Sequence, residues 1–513
     1  MPMETPGDNP IAPPPLRDDG AERRLHPWSW LFVLGQQLRQ FIVPLVALVV
    51  FGGRGDRGDF WMSIGPVIAV GVLVVISVLQ YFTYRYRVGK DALSIRDGVL
   101  ARNLREIPYS RIHNVVLHQS VLHRMFGVAE VRLESAGGQK PEAEMRVLRM
   151  DEALALESLV KHRGQAAEAA VAAPQADSLL SLSTAEVIRL GLVSNRGMIV
   201  MAAAFGAAWQ VFPDQVMANL FEKTGRQLFG YASHLNLGWL TTAAAAAALI
   251  VLALLLLRGL SVLLALVQYH GFRLSEEQRR LTVQRGLLSK LRTSVARRRI
   301  QAWTLQEGFL HRVLKRRSLR IDTAVAERQG QGGDSRALKE LAPIATPDTC
   351  AALIQHLLPQ ARWPRTEWNA LPTNAWWRLF LPSALFVVLL AAALLWFSRQ
   401  PWVLLALLWL PWSAYAARQQ ARRYGYVVDE TLVAIRGGWW SRYWRFAEID
   451  KLQALRLSRS PIDRRMGTAS LWLDTAGASG FAPPLQIRFL PDADAQALYR
   501  QLAIALARRK LQW

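Results

Sequence analysis

RIHNVVLHQSVLHRMFGVAEVRLE (residues 111–134) returns 188 positions later as RIQAWTLQEGFLHRVLKRRSLRID (299–322) and 340 positions later as KLQALRLSRSPIDRRMGTASLWLD (451–474). The three stretches align without a gap. Extended upstream to Gly98, Gly286 and Gly438 they form matched 37-residue windows. A self-similarity of this length makes the chain a tandem array before any fold is assigned. Within each copy the signal is alternation, as in Ala92-Leu93-Ser94-Ile95-Arg96 and Val131-Arg132-Leu133-Glu134, broken by Asp97-Gly98 or Gly437-Gly438 turns. That pattern predicts a small antiparallel sheet with one wet face. Each copy then ends in a segment expected to be a helix capped by its first residue: Asp151–Arg163, Asp348–Leu358 and Asp492–Arg509. Leu156, Leu159 and Val160, then Leu353, Ile354, Leu357 and Leu358, then Leu498, Leu502 and Leu506 give those helices apolar faces that close the sheet. At Gly127 and Gly467 the second copy has Lys315, which predicts a different turn in the middle unit.

Ahead of each copy the sequence turns apolar. Of 513 residues 51% are hydrophobic, concentrated in charge-free runs at Trp61–Tyr84, Gly197–Pro213, Leu235–Leu257, Leu379–Ser398 and Pro401–Ala417. A bilayer core is crossed by roughly 20 helical residues, with about 17 tolerated, so each run is long enough to span. A further stretch, Trp28–Phe51, carries Gln36, Gln37, Arg39 and Gln40. It reads as a span with a snorkelling Arg39, or as an interfacial helix followed by a short buried one. The expected architecture is therefore six transmembrane helices in three pairs. The segments are a disordered lead (1–27), a helix pair (28–84), a β-rich domain (85–164), a linker (165–180), a second pair (181–268) and domain (269–361), and a third pair (362–420) and domain (421–513).

The formal charge is +23. Its placement separates a membrane surface from nucleic acid as the reason for it. Arginines flank the apolar runs on the domain side, whereas the short connectors hold balanced charge around Arg54, Asp56, Arg57 and Asp59, or Arg399 alone. The positive-inside rule then puts the N-terminus and all three domains in the cytoplasm. One cysteine, Cys350, excludes an internal disulfide framework and a cysteine-based zinc cluster.

The helix pair, the strands with Gly turns and the closing helix, together with Leu25-His26-Pro27 before the first apolar stretch, Arg111-Ile112-His113, Arg299-Ile300-Gln301 and the His-Arg pairs, resemble the membrane-anchored bacterial pleckstrin-homology-like domain family of the YdbS/YdbT type. The resemblance covers most of the chain and its three-unit arrangement. It implies that each pair is followed by a PH-like β-barrel domain with a C-terminal helix. It also implies a smaller one-unit PH-like membrane protein as partner.

No GxxxxGK, HExxH, GxSxG or CxxC is present. Gly53–Gly58 matches GxGxxG but follows no strand and reads as a solvated turn. His113, His118 and His123 recur every five residues, a spacing that does not converge on one metal; no cofactor is expected. Glu134, Asp322 and Asp474 fall one per domain and read as strand ends or local ion pairs.

The basic clusters remain. Arg297, Arg298, Arg299, Lys315, Arg316 and Arg317 make the middle domain the most basic, and Arg124, Arg312 and Arg464 recur in equivalent positions. Cations held under an anionic leaflet gain ~1 kcal/mol each, and Arg suits phosphate, so these residues are candidates for contact with anionic membrane lipids or a partner. Aromatic-basic interleaving is missing from these stretches, which argues against nucleic acid. Trp439, Trp440 and Trp444 follow a Gly turn and suit membrane or partner contact, or core packing. The expected function is a non-enzymatic inner-membrane scaffold. The alternative is a component of a transporter or lipid-handling assembly.

Overall fold

The structure is a computed structural model and describes residues 22–35, 37–38, 58–98, 102–135, 142–163, 177–211, 215–216, 218–219, 222–223, 239–277, 279–323, 338–372, 375–477 and 482–508. The GxGxxG stretch from Gly53 to Arg57, most of the linker and the Gln-rich loop after Thr323 lie outside those residues.

Each unit begins with a strand ahead of its apolar segment. In the first, β1 (Arg23–Arg24) is followed after that segment by β2 (Arg85–Val88), β3 (Ala92–Asp97), β4 (Asn103–Pro108), β5 (Ile112–Gln119), β6 (Val128–Ser135) and β7 (Ala143–Arg149). The second has β8 (Asp177–Ser181), then β9 (Arg273–Glu277), β10 (Arg280–Arg285), β11 (Lys290–Ala296), β12 (Ile300–Glu307), β13 (Arg317–Thr323) and β14 (Glu340–Ala345). The third has β15 (Asn369–Ala370), then β16 (Gly425–Val428), β17 (Leu432–Gly437), β18 (Arg442–Glu448), β19 (Leu452–Ser458), β20 (Thr468–Thr475) and β21 (Gln486–Pro491). The lead strands β1, β8 and β15 pair antiparallel with β2, β9 and β16. Each apolar segment therefore leaves its domain and returns beside its own point of departure.

The helices follow the same plan. The first unit has α1 (Gly58–Thr83), a short α2 (Val121–Met125) and the closing α3 (Met150–Arg163). The second has α4 (Thr184–Val193), α5 (Arg196–Val211), α6 (Trp239–Tyr269), a short α7 (Phe309–Val313) and the closing α8 (Pro347–Leu357). The third has α9 (Trp376–Ser398), α10 (Trp409–Arg423), a short α11 (Pro461–Met466) and the closing α12 (Asp492–Arg508). The caps differ from the expectation: Asp151, Asp348 and Asp492 all lie inside the first turn of their helices, and α8 shows what replaces them. Thr346 accepts the Thr349 amide at 3.2 Å, Pro347 takes the first turn, where its missing N–H costs nothing, and Asp348 sits inside that turn.

Six transmembrane helices in three pairs is not what the structure contains. Among the described residues, Ala243–Tyr269 and Trp376–Ser398 are long and apolar enough to cross a membrane, or three segments if Thr184–Val193 and Arg196–Gln210, bent by 55°, make one span. Hydropathy overlooks the breaks. Ser194 takes an extended conformation between α4 and α5, so Gly197–Pro213 is only one limb of a bent pair. Pro401–Ala417 divides into a 3-10 segment, Pro401–Leu408, and α10, which ends in Arg422 and Arg423. In the first segment the apolar stretch Val70–Thr83 forms the domain-side half of α1. Residue 36 and residues 39–51 of the Trp28–Phe51 stretch are outside the described residues.

The units are not separate sheets laid side by side. Two seven-stranded sheets run β7-β6-β5-β11-β10-β9-β8 and β14-β13-β12-β18-β17-β16-β15, flanked by β1-β2-β3-β4 and β19-β20-β21. The last three strands of one unit thus continue into the first strands of the next, through β5 on β11 and β12 on β18. Lys290 faces Gln119 in the first junction, and their repeat-equivalents Arg442 and Glu307 face each other in the second. The apolar cores follow. Leu432, Ala434, Trp444 and Phe446 of the third unit belong to the same core as Leu305, Leu319 and Ile354 of the second.

The middle unit keeps the turn although it lacks the glycine. Lys315 has φ 52°, against 64° at Gly127 and 62° at Gly467, so a lysine occupies the same left-handed position. The tightest glycines are at the hairpin tips. A Cβ on Gly286 or Gly438 would lie 1.9 Å from the carbonyl oxygen of Ser289 or Ser441.

Candidate functional site: the junction rim

The hairpin tips and the short helices gather at the helix end of each domain. The Gly286 and Leu287 amides donate to the carbonyls of His270 and Val267, both 2.9 Å, fixing the β10–β11 tip against the end of α6. Trp439, in the matching third tip, packs on Trp412 and Tyr415 of α10 with ring centroids 5.4 and 5.5 Å apart. In the first unit Phe126 lies 4.8 Å from Trp28, and His123 lies 4.1 Å from Phe32. The turns Tyr109–Arg111, Arg297–Arg299 and Ile449–Lys451 close the opposite end, since strands such as β11 run away from the tips for about 20 Å at 3.4 Å per residue.

This polarity sorts the candidate cations. Arg297 is at the far end, where it donates to the Leu357 carbonyl and to that of His356 at 3.3 Å, satisfying the last turn of α8. Arg298 beside it is exposed, and burial together with Arg298 pushes the half-buried Arg299 guanidinium down. The remaining candidates are on the rim. Arg316 forks onto Glu186 of α4 at 2.9 and 2.7 Å, a bidentate geometry that raises its own proton affinity. Arg317 reaches Glu307 at 3.4 Å and lies over the buried Trp444 ring.

Arg124 and Arg312 perform one task twice. Arg124 Nη1 donates to the Leu287 carbonyl and Arg312 Nη2 to the Trp440 carbonyl, each at 3.1 Å, so each clamps the hairpin tip of the following unit. Phe309, next to Arg312, stacks on Trp440 at 4.8 Å and 11°. Arg464 has the same position in the third unit. Its side chain is exposed and makes no hydrogen bond or ion pair among the described residues. Lys315 is exposed as well.

Sequence reasoning passed over the apolar part of the rim. Val121, Leu122, Met125, Phe309, Val313 and Met466 are large, exposed and carried on the three short helices, with Met125 at 74% and Val313 at 63%. Their signal was available: apolar residues directly after Ser120, Gly308 and Ser460, each a helix-capping position. The Glu340 cage was also missed. Its carboxylate accepts from Tyr269, which accepts from Arg196, and it pairs with Arg320 at 3.2 Å. Burial alone would raise this carboxyl, but Arg320, Arg196 and Arg285 together hold it below the usual value. A cavity of about 70 Å³ beside it is lined by Gln268, Arg285 and Lys339 among others. The cage ties the start of α5 and the end of α6 to the sheet.

The acidic residues one per domain also separate. Glu134 accepts from Asn114 at 2.8 Å within its unit, and Asp322 takes Arg445 of the next unit at 2.7 Å. Asp474 is exposed and makes no ion pair among the described residues. His118 bonds Glu130 at 3.2 Å and His123 bonds Ser120 at 2.6 Å; no group of three or more potential metal ligands gathers among the described residues.

Residues 38–164, 232–357 and 379–505 each match the family described as Bacterial PH domain. The chain is also similar to UPF0699 transmembrane protein YdbT of Bacillus subtilis (strain 168), 22% identical over 414 residues that make up 76% of this chain and 79% of that protein. No solved structure matches. Three matches at the spacing of the internal repeat, covering most of the sequence, assign this membrane protein to the bacterial PH domain family.

Proposed function

We propose that the protein is a non-enzymatic scaffold of the bacterial inner membrane, with its three PH-like units held in one row against the cytoplasmic leaflet. The observation that carries this reading is the rim. Exposed Val121, Met125, Phe309, Val313 and Met466 stand on the helix end of the domains beside Lys315, Arg464 and Arg465, whose side chains make no ion pair among the described residues. Apolar side chains with adjacent cations suit the headgroup boundary, where insertion and attraction to anionic lipid add. The returning lead strands support the same geometry, because they bring every domain back to the side from which its apolar segment left.

A depth measurement on the full chain tests this. Spin labels at Val313→Cys and Arg298→Cys are compared in nanodiscs of phosphatidylglycerol and of phosphatidylcholine. The label at 313 is expected to be shielded from an aqueous relaxation agent, more so on the anionic lipid, and the label at 298 fully accessible. Equal accessibility at the two sites refutes the reading.

A further inference from the structure

The two internal junctions share two parts. A β5-type strand is paired along its edge by the β11-type strand of the next unit, and an arginine on the short helix clamps the incoming hairpin tip. At the second junction a carboxylate one strand further in, Asp322, takes the incoming Arg445. The third unit carries a counterpart of all three, and none is engaged among the described residues. Strand β19 is an edge of its sheet, Arg464 stands where Arg124 and Arg312 do, and Asp474 stands where Asp322 does. At the other end of the chain the incoming half is equally unused. Strand β4, the equivalent of β11 and β18, is an edge; Leu104 is 69% exposed, and Arg105, the counterpart of Arg445, is exposed.

We infer that β4 of one copy docks on β19 of a second copy, continuing the row head to tail. The internal register transfers directly. Leu104 then faces Leu457, where Trp444 faces Leu305 inside the chain, and Arg105 comes beside Asp474 as Arg445 comes beside Asp322. One residue opposes the contact. Arg456 falls directly opposite Arg105, at a site that Val116 and Thr304 occupy in the internal junctions. This leaves the outer junction weaker than the inner ones, as expected of an association that assembles and comes apart. Such a contact is heterologous, so copies close into a ring or extend as a row. The inference does not depend on lipid contact at the rim.

Cysteine crosslinking of the full chain in membranes tests it. Differently tagged copies carrying Leu104→Cys and Leu457→Cys are coexpressed and oxidised. A disulfide-linked heterodimer is expected, with none from the register-shifted pair Leu104→Cys and Ala454→Cys. Arg456→Thr is expected to raise the crosslinked fraction about two- to fivefold by removing the like-charge pair, and Asp474→Asn to lower it by a similar factor. The inference is overturned if the matched pair does not crosslink, if the shifted pair crosslinks equally, or if the Leu457→Cys copy is captured only by a different protein.

Discussion

Removing Asp322 tests the junction between the second and third units at its most buried point. The Arg445 side chain is 1% exposed, donates to Asp322 at 2.7 Å, and has Nε and Nη1 without partners. Asp322→Ala leaves a guanidinium inside the sheet with no counter-charge, a change that costs about 3–5 kcal/mol in comparable settings. Because Asp322 is itself 13% exposed, the lower part of that range applies. Converted at ~1.4 kcal/mol per tenfold, the junction opens roughly 10²- to 10³-fold more often. Hydrogen exchange of the full chain in nanodiscs reads this strand by strand. Amides of β12 and β18 should accelerate by that factor while those of β5 and β11 keep their protection. The double variant Asp322→Ala/Arg445→Met should recover most of it, since a buried ion pair exchanges for apolar packing at little cost. Equal acceleration at both junctions, or a double variant as damaged as the single, refutes the assignment of this pair to the junction.

Two further outcomes follow from local chemistry. Burial would raise Glu130, but the hydrogen bond from His118 and the Arg132 guanidinium outweigh it and lower its pKa from 4.5 to about 2. A depressed folded value contributes stability above the unfolded one and loses it on the way down, so the sheet of β5, β6 and β7 should weaken between about pH 4.5 and 2; thermal melts across that window should show the loss in the native chain and a flatter profile in Glu130→Gln. Lys315 holds a left-handed turn that its counterparts fill with glycine, so Lys315→Gly should raise resistance to unfolding by about 1 kcal/mol and Gly127→Ala should lower it by a similar amount, measured by denaturant titration.

The repeat, the strands and the closing helices could be read from the chain because they are local. Alternation along β3 or β6 and the i, i+3, i+4 spacing of α8 are written in consecutive residues. The junctions are not local. Nothing in β5 marks it as a partner for β11, since edge pairing is made by backbone groups that every residue carries. The identical register of β5 on β11 and of β12 on β18 appears only when both pairings are seen. For the same reason the basic clusters were legible as charge and not as contacts: Arg124, Arg312 and Arg316 find their oxygens 163, 128 and 130 residues away. Span counting failed for a different cause. An average over a window does not register one extended residue such as Ser194 or the 3-10 path after Pro401.

The lead strands set a condition on how an apolar segment can meet a bilayer. β8 ends at Ser181 and its partner β9 starts at Arg273, with the whole second apolar segment between them. An odd number of crossings would strand the two on opposite faces of the bilayer, and β9 would keep an open edge. A sheet of this kind closes only on a segment whose two ends lie on one face, so a chain threaded otherwise would leave a strand edge unpaired and open to proteases.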